Sequence, residues 1–219
     1  MPENSAREAL FDYWSQSYQK DVGDGQFPFI GYEQSLDLLI KLADIRQTDR
    51  VLDLGIGTGA LGIRLPVPQE QLWGVDFSTA MLARAAEALP GAHLLQVDLL
   101  SKGWPEELTQ PFNQIISGYT FHEFTDDQKL AILSRLSANH LAVDGVFLIA
   151  DISFPSQTDL KAGRLRFSDQ WDEEEYYWCA EIMVPKVSAM GLTVQYEQTS
   201  DCAGIYQIRK ETGKYADKK

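Results

Sequence analysis

Residues 51–62 read VLDLGIGTGALG, and this stretch decides the fold. An apolar run leads into Gly55, Gly57 and Gly59, the pattern of a buried strand that breaks into a glycine-rich turn and then enters a helix. Glycine lets the main chain adopt positive φ and lets a bound molecule approach the backbone with no Cβ in the way. Asp53 lies inside the strand, so the full pattern is D-x-G-x-G-x-G.

Outward from this turn, strands and helices alternate. Upstream, Leu36, Leu39, Ile40 and Ala43 recur at helical spacing. Downstream, QLWGVDF (71–77) predicts a second strand that ends at an acid, Asp76. STAMLARAAEALPG (78–91) predicts a helix: Ser78 caps it, Met81, Leu82, Ala85 and Leu89 share a face, and Pro90-Gly91 stop it. AHLLQVDLL (92–100) and FNQIISGY (112–119) predict the third and fourth strands. TDDQKLAILSRLSANH (125–140) predicts a helix opened by a capping box from Thr125 to Gln128, and DGVFLIADI (144–152) a fifth strand. Several strands are near-continuous apolar runs, which is the pattern of a parallel sheet covered on both faces. Residues 152–175 carry no clear strand and read as a partly helical insertion. A helix follows near 176–190, ended by Gly191. LTVQYEQTS (192–200) and AGIYQIRK (203–210) then predict two closing strands joined by a short turn.

The whole chain has 219 residues and a formal net charge of −13. The length suits one α/β domain. The negative charge disfavours a nucleic-acid partner. No apolar run is long enough for a bilayer, and the polar start MPENSAREAL has no signal-peptide character, so a membrane partner is not expected and the chain reads as cytoplasmic. Cys179 and Cys202 form no metal-spaced pair and read as buried, inert thiols; His93, His122 and His140 are too scattered for a zinc site, so no metal is expected.

Three ligand classes use a glycine turn of this kind. A phosphate-binding Walker loop needs Lys and then Ser or Thr after its last glycine, but Ile63 follows Gly62. A nicotinamide dinucleotide fits G-x-G-x-x-G at Gly57, Gly59 and Gly62, with Asp76 as ribose ligand. Asp53 argues against it, because a carboxylate beside the turn repels a pyrophosphate. The same carboxylate attracts S-adenosylmethionine (SAM), whose methionine ammonium and sulfonium are both positive. Asp98, ending the third strand, can accept from the adenine amine, and two closing strands depart from a dinucleotide fold.

VLDLGIGTG, GVDFSTAML, QVDLL and IISGYTFHEF resemble the successive motifs of class I SAM-dependent methyltransferases. Among these, the chain resembles the small bacterial YrrT-like methyltransferases, in the flanks FDYWSQSYQKDV, FPFIGYEQSL and YYWCAEIMVPKVSAMGL as well. The resemblance implies an α/β, Rossmann-like sheet of seven strands in the order 3-2-1-4-5-7-6, strand 7 antiparallel, with helices on both faces. It implies one domain over residues 1–219, with an N-terminal lid (1–34) and an inserted cap segment (152–175). SAM would bind at the carboxyl ends of strands 1 to 4, where open α/β sheets form their crevice.

On this resemblance Gly55, Gly57 and Gly59 approach the methionine moiety and Asp53 its ammonium. Asp76 takes both ribose hydroxyls, a bidentate match suited to a carboxylate. Asp98 and the backbone of Leu99 read adenine. Phe77 packs on the adenine face or is ordinary core, and Met81 is helix core or an adenine contact. Ser117, Gly118 and Tyr119 close the fourth strand beside the sulfonium and the acceptor. Tyr18, and next Tyr32, reach the methionine end from the lid. His122 is the candidate base, with Tyr119 beside it. Arg164 and Arg166 either receive an anionic acceptor or are solvated surface charges. The sequence departs from its relatives at Gln114, where an acid is common, and at Glu123, where a second histidine is common.

The expected function is methyl transfer from SAM to a small-molecule acceptor by direct displacement, with a homodimer as a possible assembly. Two alternatives stand beside it: an NAD(P)-dependent oxidoreductase, and a SAM-binding sensor without turnover. No D/N-P-P-Y/F motif and no Pro-Cys nucleophile is present, which moves nucleic-acid substrates down.

Overall fold

The computed structural model describes residues 25–211. Its eight strands are β1 (Val51–Leu54), β2 (Leu72–Asp76), β3 (His93–Gln96), β4 (Phe112–Gly118), β5 (Leu141–Phe154), β6 (Trp178–Cys179), β7 (Leu192–Gln198) and β8 (Ala203–Lys210). The sheet order is β3-β2-β1-β4-β5-β8-β7, and the short β6 lies parallel to the end of β5. Strands β1 to β5 pair in parallel, while β8 runs antiparallel to both β5 and β7. This is the expected α/β order with β8 and β7 as its last two strands; β6 is an addition that the sequence did not announce.

Helices cover both faces. Helix α1 (Tyr32–Ala43) buries Tyr32, Leu36, Leu39 and Ala43 against Ile116, Val146, Leu148 and Ile205. Helix α2 (Thr79–Ala88) begins at Ser78, whose hydroxyl accepts from the Met81 N–H at 3.2 Å. On the opposite face, α3 (Asp126–Asn139) and α5 (Ala180–Ser188) place Ile132, Leu136, Met183 and Val187 against Leu52, Phe147 and Ile208. The alternation within β5, with Phe147 and Ile149 in one core and Val146, Leu148 and Ala150 in the other, follows from successive side chains pointing to opposite faces. The capping box of α3 is complete: Thr125 Oγ1 accepts from Gln128 N, and Gln128 Oε1 accepts from Thr125 N. Helix α4 (Gln157–Arg166) lies in the segment after β5.

Four expectations are corrected. The chain does not enter an α-helix after the glycine turn. It makes one 3₁₀ turn, Gly62–Arg64, and Leu65 is extended at φ −74°, ψ 138°. Pro66 and Pro68 are the reason, since a proline disfavours helical backbone in the residue before it and cannot donate to a helix ladder. The fifth strand runs on to Phe154, through the start of the segment read as strandless, because antiparallel β8 pairs with it as far as Ile152. The third strand stops at Gln96. The last helix starts at Ala180 rather than near Tyr176, because β6 uses the residues before it.

Strand order reverses at β1, which lies between β2 and β4, and this opens a crevice at their carboxyl ends. The turn there is tightly built. The Gly55 and Ile56 N–H groups both donate to the Val75 carbonyl, at 2.8 and 3.0 Å. Gly55 has φ +69°, and a Cβ on it would lie 2.3 Å from Thr120 Oγ1. Replacing Gly55 by Ala combines that collision with a disfavoured φ, so we expect a loss of more than ~1 kcal/mol in urea denaturation.

Candidate active site

A cavity of about 420 Å³ fills the crevice, a size that suits a small-molecule site. Its floor is the glycine turn. Gly57 has φ +53°, and a Cβ there would meet nothing closer than the Gly55 carbonyl at 4.0 Å, so its backbone is open to a ligand. Asp53 lines the cavity at 1 % exposure, and its Oδ2 is buried with no hydrogen-bond partner. Burial, and secondarily the Asp76 carboxylate, push the Asp53 carboxyl up to about 8. Asp76 Oδ2 accepts from Gly57 N at 3.0 Å and Oδ1 from Ser78 N at 2.9 Å. Burial raises the Asp76 carboxyl above its ordinary range, against the pull of the Ser78, Gly57 and Phe77 N–H groups. Asp98, exposed on the far wall, accepts from Leu100 N at 2.8 Å.

The other end of the cavity is built around His122, on the 3₁₀ turn Phe121–Glu123 after β4. Its Nδ1 lies 2.7 Å from Asp151 Oδ1, and its backbone N–H donates to Asp151 Oδ2 at 3.0 Å. Asp151 is fully buried near the end of β5 and also accepts from Ile152 N and Trp178 Nε1. That carboxylate fixes the proton on Nδ1 and leaves Nε2 toward the cavity. Glu123 Oε1 and Glu175 Oε1 each stand 3.7 Å from Nε2. These three ligand atoms lie within 4.8 Å of one another, a grouping that the scattered histidines of the sequence did not suggest. Burial alone would depress the His122 pKa, but the charge and hydrogen bond of Asp151, then Glu175, carry it above its ordinary value, with Lys129 opposing. Tyr119 takes φ +53°, a costly conformation for a side-chain-bearing residue that aims its ring into the site. Its hydroxyl is 3.4 Å from Ser35 Oγ, its ring packs on Tyr32 at 4.8 Å, and burial raises its pKa, so it stays a phenol at neutral pH.

Comparison with known proteins agrees with this architecture. A family model described as "Methyltransferase domain" matches residues 51–145. An uncharacterized methyltransferase of Geobacillus kaustophilus is 31 % identical over 215 residues, covering 93 % of this chain and 96 % of the relative. The chain belongs to this methyltransferase family. The uncharacterized methyltransferase YrrT of Bacillus subtilis is 28 % identical over 213 residues, covering 92 % of this chain and 96 % of YrrT. Among solved structures, magnesium protoporphyrin IX methyltransferase from Synechocystis PCC 6803 with bound SAH has a TM-score of 0.67 at 19 % identity, over 93 % of this chain and 99 % of its own. A DhpI–SAH complex has a TM-score of 0.67 at 16 % identity, over 95 % and 97 %. Family membership sets the oxidoreductase alternative aside.

In this methyltransferase the cavity wall brings together Asp53, Gly55, Gly57, Asp76, Phe77 and Met81. Asp98, Leu99, Tyr32, Tyr119 and His122 also line it. Two expected residues stand elsewhere. A Cβ on Gly59 would come 2.9 Å from Leu89 Cδ1, so that glycine serves the packing of α2. Ser117 is fully buried and its hydroxyl donates to the Leu54 carbonyl at 2.8 Å, which ties β4 to β1. Tyr18 lies outside the described residues. Arg164 and Arg166 do not reach the cavity; they pair with Glu173 and Asp201, each at 2.6 Å. The sequence reading missed Asp151 and Glu175. Asp151 carried a signal, an acid inside an apolar strand, and that same signal had singled out Asp53. Replacing Asp151 by Asn should lower the His122 pKa, read from the imidazole carbon-bound protons in an NMR titration.

Proposed function

We propose that this enzyme transfers a methyl group from SAM to a small-molecule acceptor, with the glycine turn and three aspartates holding the cofactor. One observation carries the reading: a buried carboxylate oxygen of Asp53 with no partner, at a backbone turn that has room for a ligand. Buried charges require a counter-charge, and the methionine ammonium and sulfonium supply it. SAM brings an electrophilic methyl carbon on positive sulfur. Asp53 faces the ammonium, Asp76 accepts from the ribose hydroxyls, and Asp98 with the Leu99 backbone reads adenine. Phe77 and Met81 wall the base, and Tyr32 covers the methionine end. The SAM and SAH found in solved structures of this fold support the assignment.

On the acceptor side, His122 receives a proton through Nε2 while Asp151 holds the ring. Tyr119, held as a phenol, shapes the wall and takes no part in the proton transfer. Alignment of donor and acceptor and exclusion of water supply most of the rate enhancement. Residues 155–177 act as the cap over this end; the Phe27 ring stacks on Phe167 at 4.6 Å, joining the cap to the segment before α1. No helix among the described residues is long and apolar enough to cross a membrane. We assign the enzyme to the cytoplasm and to a small-molecule rather than a nucleic-acid acceptor, consistent with its charge of −13.

The protonation of Asp53 makes cofactor binding testable apart from turnover. With a carboxyl near pKa 8, most of Asp53 is protonated at about pH 7, and a bound cation favours its ionised form. Calorimetry in buffers of different ionisation enthalpy should therefore show proton release on SAM binding at about pH 7, fading as the pH rises above that pKa. Asp53→Asn should remove most of the release. Asp76→Ala should weaken binding at least about tenfold, the loss of a charged hydrogen bond. Saturable binding of NADH with none of SAM would sink this reading.

A further inference from the structure

We infer that Arg135, on α3, makes this site selective for adenine by aiming the Asp98 carboxylate through a single peptide group. The inference rests on the methyl-transfer reading and adds the origin of its cofactor specificity. Arg135 is a positioning residue: it does not line the cavity, whereas Asp98, Leu99 and Leu100 do. Strand β3 stops at Gln96, and the chain then turns between residues 97 and 101. The Val97 N–H donates to the Asp76 carbonyl at 2.9 Å, which ties the start of the turn to the sheet. Beyond it the Ser101 N–H returns to the Asp98 carbonyl, within the turn itself. The Leu99 side chain is buried, which sets the depth of the turn but not the direction of its peptide groups. Asp98 is exposed, so packing does not hold its carboxylate.

Arg135 supplies that direction. One of its terminal nitrogens donates to the Leu99 carbonyl at 2.6 Å and the other to the Ser101 carbonyl. Neither goes to a carboxylate among the described residues, so the guanidinium holds main chain rather than closing an ion pair. Its planar fork suits two oxygens at fixed angles, which the single ammonium of a lysine cannot match. The guanidinium also rests 5.0 Å over the Trp104 ring, which limits the ways it can turn. Burial works against its charge, and the Asp98 carboxylate works for it.

The peptide between Leu99 and Leu100 is therefore held at both ends. Its oxygen accepts from Arg135, and its N–H donates to Asp98 Oδ1 at 2.8 Å. A cation on the oxygen polarises the amide and makes that N–H a stronger donor. With Oδ1 committed, the carboxylate is oriented and Oδ2 is left for a ligand. A carboxylate oxygen accepts from the exocyclic amine of adenine and repels the 6-oxo group of hypoxanthine. Among the described residues the Leu99 N–H donates to no main-chain oxygen, which leaves it for the neighbouring ring nitrogen. That nitrogen is an acceptor in adenine and carries a hydrogen in hypoxanthine.

Calorimetry on the full-length protein tests this with two ligands, S-adenosylhomocysteine (SAH) and S-inosylhomocysteine, in which an oxo group replaces the adenine amine. The wild type should prefer SAH by at least about tenfold. Arg135→Met should cut that preference to within about threefold, through weaker SAH binding, and change the affinity for the inosine ligand by less than about twofold. Arg135→Lys, which keeps the charge but offers one donor point in place of the fork, should lie between the two and decides the matter where the methionine variant does not fold. Adding Asp98→Ala to Arg135→Met should cost little further SAH affinity, because the two residues act on one path. A merely structural arginine would weaken both ligands alike, and that result overturns the inference. So does an SAH preference that survives in the Arg135 variants, or one that is absent from the wild type. A wild-type protein that binds neither ligand overturns the proposed function itself, and this inference with it.

Discussion

A carboxylate without a partner, enclosed by protein and placed close to a second carboxylate, is the constraint on which this site turns. Asp53, inside β1, and Asp76, at the end of the adjacent parallel β2, stand close enough that the Asp76 charge adds to the cost of ionising Asp53. The fold could relieve the strain with a basic side chain, but no lysine or arginine lines the cavity among the described residues. Burial and the second carboxylate instead push the Asp53 carboxyl up to about 8. A ligand with fixed positive charge is the remedy such a site lacks. This gives the crevice a preference of charge before any contact of shape is considered.

The second half of the cavity repeats the theme through a different element. Asp151 is presented by β5, His122 by the turn after β4, and Glu175 by the cap that returns over the crevice. Four donors converge on Asp151, so its orientation is over-determined. The ring it holds has one nitrogen committed and the other available. An imidazole in that state is a proton acceptor of fixed direction. Main-chain bonds from the cap to His122 and to buried Lys129 make cap position and imidazole position a single structural unit.

Much of this was legible in the sequence, for reasons that differ by element. Strands β1 and β2 are buried on both faces, so their apolar runs were unmistakable, and the Thr125–Gln128 capping box fixed the start of α3 within the chain itself. The acids at 53, 76 and 98 stood out because each interrupts or ends such a run. What failed to show depends on contacts distant in sequence. Ser117 looked like a site residue from its place at a strand end, yet its hydroxyl faces a carbonyl 63 positions away. Glu175 looked like one of several acids in an acidic stretch, and only the return of the cap brings it to His122. The missing helix after the glycine turn was a misjudged local signal: Pro66 and Pro68 outweighed the glycine pattern.

Those two prolines have a consequence for ligand choice. Where a full helix follows a glycine turn, its aligned peptide dipoles place roughly half a positive charge at its start, and this is what makes such turns good seats for phosphates. Here a single three-residue turn replaces the helix, and few peptide dipoles add up behind the backbone N–H groups. The loop keeps its close approach to a bound molecule and gives up most of its electrostatic pull on anions. Neighbouring carboxylates are then left to set the sign of the field, and the pocket is tuned toward cations by an omission in the backbone as much as by its side chains.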